Sequence, residues 1–122
     1  MMLIRQEQAE TFKIKFQTDF EREAIAHLRS ELPEIAEELT DEEMLARIRH
    51  CLPRAEAYDL TNQDEALAFI DASYLVGDEE FDTNPDFPWA QRILGKQYLD
   101  SREKAEQLLD RAYDENQSMS TE

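Results

Sequence analysis

The sequence predicts an all-α fold: a compact bundle of about five helices, with a long N-terminal helix and an acidic loop before a short penultimate helix. Three observations predict it. Apolar residues recur at three- and four-residue spacing along most of the chain, capping residues punctuate those stretches, and Gly77 and Gly95 are the only two glycines in 122 residues. No run alternates in the period of two that a half-buried strand requires, and no internal repeat or low-complexity tract interrupts the helical pattern.

The first helix is expected from about Gln6 to Leu32, where Ala9, Phe12, Phe16, Phe20, Ala24 and Leu28 form one apolar stripe and Pro33 closes it. Ile14 and Ile25 lie off that stripe, which suits a helix with neighbours on more than one side. Glu34 to Leu39 has room for a helical turn at most. Thr40 followed by Glu43 is a capping-box pattern, and Asp41, Glu42 and Glu43 suit the positive end of a new helix. That helix carries Met44, Leu45, Ile48 and Leu52 inward and continues toward Tyr58, with Pro53 expected to kink or split it after Leu52.

Thr61 and Asp64 mark the next start, and Ala66, Leu67, Phe69, Ile70, Ser73, Tyr74 and Leu75 predict a largely buried helix stopped by Gly77. Both glycines follow apolar stretches at positions suited to a left-handed cap. Between Asp78 and Pro88 the periodicity gives way to Asp, Glu, Asn and Pro, the composition of a loop about ten residues long. Pro88 can open a brief helix to Leu94, with Trp89 and Ile93 facing inward and Gly95 ending it. The last helix starts near Asp100 or Ser101, with Glu103 available for a capping box, and buries Ala105, Leu108, Leu109 and Ala112. The length suits a single domain, expected over residues 1–116, with 117–122 as a disordered tail.

Charge narrows the partners. The chain carries 13 Lys and Arg against 29 Asp and Glu, a net charge of −16, so nucleic-acid phosphates and anionic membrane surfaces should repel it. A basic protein should instead be attracted, through a long-range effect that mainly raises the association rate and weakens with salt. The acidity belongs to the middle of the chain, since residues 34–86 hold 3 basic and 16 acidic side chains. A lone Cys51 forms no internal disulfide, and no apolar run reaches membrane-span or signal-peptide length, so a cytoplasmic location is expected.

The acidic loop is the most conspicuous candidate for chemistry. Positions 78, 80, 82, 84 and 86 all carry oxygen ligands, as a calcium loop would. Yet the sixth position, where a sharp turn requires glycine, is Thr83, and the twelfth, where a bidentate acid belongs, is Trp89. His27, His50 and Cys51 lack the paired spacing of a zinc site. Carboxylates are abundant, but acid-base catalysis needs two of them in contrasting environments about a cleft, and no phosphate-cradling loop or nucleophile elbow accompanies them. No enzyme activity, cofactor or metal is therefore expected. Two roles fit the aromatic residues around the loop: they can fold it back onto the bundle, or form an anchor for a partner with acids at the rim. On the second reading the contact residues are Glu79, Glu80, Phe81, Asp82, Asp86 and Trp89.

The order of features carries a resemblance. A long first helix with Phe20 and His27-Leu28 precedes Leu39-Thr40-Asp41-Glu42-Glu43, then Val76-Gly77-Asp78, Phe81-Asp82-Thr83-Asn84-Pro85 and Pro88-Trp89-Ala90. This resembles a family of small all-helical bacterial proteins encoded in type VI secretion effector clusters, over roughly Ile4 to Tyr113 and most specifically over Leu75 to Leu94. Pro53 and the acidity of the middle segment depart from the family's pattern. The resemblance implies no catalytic residues. It implies an accessory protein, an adaptor or co-chaperone that holds an effector toxin or its chaperone, or alternatively an immunity protein that neutralises a cognate toxin through an acidic surface. A monomer and a homodimer are both compatible with the long first helix.

Overall fold

The computed structural model describes residues 19–96 and 99–120, with side chains described through Ser118. Every regular element among them is an α-helix: α1 over 19–31, α2 Pro33–Ala36, α3 Asp41–Ala57, α4 Gln63–Leu75, α5 Pro88–Leu94 and α6 Ser101–Ser120. None of the helices among the described residues is long and apolar enough to cross a membrane. The chain divides into two compact units, Met1–Leu45 and Ala46–Glu122, with the boundary inside α3.

In the first unit, α1 buries Glu21, Ala24 and Leu28, and Leu32 beyond its end continues the same three- and four-residue spacing. The expected stretch from Gln6 to Thr18 lies outside the described residues. The chain leaves the helix at Leu32, and Pro33 occupies the first turn of the four-residue α2, where its missing amide hydrogen costs no bond. Thr40 then caps α3 as the sequence predicts. Its Oγ1 accepts from the Glu43 amide at 3.1 Å, and the Glu43 carboxylate accepts from the Thr40 amide at 2.9 Å. Asp41, also in this first turn, pairs with Arg29 of α1. Thr40→Ala should therefore destabilise the start of α3 by about 1 kcal/mol. Faster amide exchange confined to the first turn of α3 would show it; unchanged exchange at Glu43 would mean that the box contributes nothing.

Pro53 does not split α3, which runs unbroken from Asp41 to Ala57. Proline cannot bond the carbonyl four residues back, at Arg49, but Arg49 and Pro53 are both exposed, so that carbonyl lies on the side where water can reach it. Ile48, Cys51 and Ala55 on the opposite side are fully buried and hold the helix together across the defect. Asp59 ends α3 with a left-handed φ of 66°, its amide bonding the Glu56 carbonyl while the Leu60 amide reaches back to Ala55. This is a Schellman arrangement built on aspartate rather than glycine, one of the few side chains that tolerate it.

α4 starts one residue later than Thr61 suggests. Asn62 is the cap, its side chain accepting from the Glu65 amide at 2.9 Å, because an Asn oxygen reaches the amide three residues on. From Glu65 to Leu75 every residue except Leu67 is buried, and α4 packs against α6, as does α5. Gly77, at φ 73°, closes α4 with the same device as Asp59: the Asp78 amide bonds the Ser73 carbonyl and the Gly77 amide the Tyr74 carbonyl. Gly95 differs from expectation, since it ends α5 in the right-handed region. Its value is space, because a Cβ there would lie 2.9 Å from the Gln91 carbonyl oxygen.

Asp100 caps α6 through the Glu103 amide at 2.8 Å. The helix buries Ala105, Leu108 and Ala112, leaves Leu109 half-buried, and continues to Ser120, beyond the point where a tail is expected. Glu115 and Asn116 explain the extension. The former pairs with Arg111 at 3.4 Å and accepts from Trp89 at 3.1 Å, and Asn116 donates to the Leu75 carbonyl at the end of α4 at 3.0 Å. These bonds hold the helix well past Ala112.

A candidate docking loop in the second unit

Residues 78–87 join α4 to α5 as a succession of turns held mostly by local bonds. Phe81 donates its amide to the Asp78 carbonyl, Thr83 and Asn84 to that of Glu80, and Phe87 to that of Asn84. Asp78 organises the first turn: its carboxylate accepts from the Glu80 amide at 2.9 Å and from the Asn84 side chain at 2.6 Å. Those two bonds, with that to Asn84 foremost, hold its carboxyl below the ordinary aspartate value of 3.8. Asn84 in turn accepts from the Asp86 amide at 2.9 Å.

Two side chains pin the loop to the helices. Phe81 is fully buried, with its ring centroid 5.0 Å from Phe69 and 6.2 Å from Trp89; Tyr58 stacks on Phe69 at 6.1 Å. Asp82, 2% exposed, accepts at one oxygen from Arg54 Nε at 3.0 Å and Nη2 at 2.7 Å, and at the other from the Tyr58 hydroxyl at 2.9 Å. Gln91 on α5 donates to the Asp82 carbonyl and, at 3.2 Å, to the Tyr58 oxygen. Arg54 also donates to Thr83 at 3.2 Å. The bond from Arg54 to Asp82 raises the guanidinium's proton affinity further. Burial, with the bond to Asp82 second, pushes the Tyr58 phenol above its ordinary value of 10.0.

The six residues expected to meet a partner thus separate into two groups. Phe81, Asp82 and Trp89 are buried and hold the loop on its own unit; Trp89, 6% exposed, is further engaged by Glu115, with the Arg111 guanidinium 5.4 Å from its ring centroid. Buried in this way they act as structural anchors, the first of the two roles that the sequence allows. Glu79, Glu80 and Asp86 are exposed. Glu79 lies 3.5 Å from Arg47 and Glu80 4.0 Å from Arg54, with side chains 48% and 63% exposed. A shared cation site is not how the alternate oxygens are arranged, since both oxygens of Asp82 are taken by protein donors. Among the described residues no three His, Cys, Asp or Glu side chains are grouped as metal ligands.

Arg54, Tyr58 and Gln91 are absent from the sequence-based site. Arg54 and Tyr58 stand four apart, hence on one side of a helical turn, and that spacing is the one signal the sequence holds for them. A second buried group lies nearby in the same unit. Arg47 covers the Tyr74 ring at 4.5 Å and donates to the Ser73 carbonyl at 3.2 Å, while the Cys51 thiol lies 3.7 Å from the Ser73 hydroxyl. Burial pushes that thiol above its ordinary 9.0, the opposite of an activated nucleophile.

The raised values of Cys51 and Tyr58 favour their neutral forms in the folded state. Their contribution is complete below the unfolded values of 9.0 and 10.0 and is lost as pH rises through the folded ones. Stability should therefore fall on the alkaline side from about pH 9. Thiol labelling of native protein near pH 8 should run on the order of 100-fold slower than that of urea-unfolded chain. Denaturant midpoints that stay level to pH 11, or native labelling at the unfolded rate, would contradict the burial assigned to these groups.

No family model, no curated protein and no solved structure matches the chain.

Proposed function

We propose that the chain is a non-enzymatic protein-binding accessory, an adaptor or co-chaperone for a secreted effector or for that effector's own chaperone, of the kind encoded in type VI secretion effector clusters and acting in the cytoplasm. The observation that carries this reading is the division of labour in the 78–87 loop. Asp78, Phe81 and Asp82 are spent on holding it, while Glu79, Glu80 and Asp86 are left outside on a fixed frame. Carboxylates presented in that way, on a chain of net charge −16, attract a basic surface during encounter without costly burial of charge.

Co-purification with each neighbouring gene product tests the partner class, and retention of an effector or its chaperone is the expected result. With that partner, the triple variant Glu79→Gln, Glu80→Gln, Asp86→Asn should slow association roughly three- to tenfold at low salt and leave dissociation nearly unchanged. Unchanged association at low salt would remove the loop from the encounter surface. Rescue of cells from a toxin without any change in effector stability would assign the immunity role instead.

A further inference from the structure

We draw no further inference here: the strongest candidate, the run of exposed carboxylates from Glu34 through Glu38 on and after α2 to Glu43 in the first turn of α3, is an acidic surface patch, and nothing in the structure shows what covers it.

Discussion

Asp82→Ala should cost about 3 kcal/mol of unfolding free energy, read as a lower urea midpoint with an unchanged slope. The carboxylate is 2% exposed and accepts three bonds, two from Arg54 and one from Tyr58. Removing it leaves the phenol without its acceptor and the guanidinium with only Thr83 and the more distant Glu80. The Arg54 side chain is 24% exposed, so water recovers part of the loss, which places the cost at the lower end of the range for broken buried pairs. Arg54→Met should cost more, because it strands the more deeply buried partner as an unpaired anion. A double-mutant cycle isolates the coupling, expected at about 2 kcal/mol. Glu80→Gln is the control: its side chain is 63% exposed and 4.0 Å from the same arginine, so it should stay within about 0.5 kcal/mol. An Asp82→Ala variant as stable as Glu80→Gln would refute the anchoring role.

Phe69→Ala should destabilise by about 4 kcal/mol. Its ring is fully buried and contacts those of Tyr58, just beyond α3, and Phe81 in the loop, so truncation removes a large apolar group and both ring contacts. For a chain of this length that corresponds to a fall in Tm of about 15 °C. It also takes up much of the roughly 5–15 kcal/mol that a domain has in total. Phe69→Leu keeps most of the volume and should cost about 1.5 kcal/mol. Calorimetry showing equal losses for the two variants would mean that the cavity does not govern the effect.

What the sequence reveals of this structure follows the range of the forces involved. The Thr40 and Glu43 box, the stop at Gly77 and the opening of α5 at Pro88 each depend on a few consecutive residues, and all three stand where local chemistry puts them. The start of α4 is misplaced by one residue because Thr61 and Asn62 are both competent caps and only the backbone's path selects between them. Pro53 shows local preference overruled by packing, with fully buried Cys51 and Ala55 on either side of it. The loop is where single residues mislead most. Asp82 and Asp86 are the same residue type four positions apart, yet one is buried against Arg54 and the other exposed. Only a partner 28 residues away distinguishes them, and periodicity holds no trace of it.

Because the loop's frame rests on Asp78, Phe81, Asp82 and Asn84, the outward positions 79, 80 and 86 can change size or polarity with little effect on folding. If the loop docks a partner as proposed, recognition and architecture are written in separate letters of one short word. On that role a lineage could exchange the outward letters while the inward ones stay as they are, and an engineer could change the surface in the same manner without repairing the scaffold beneath.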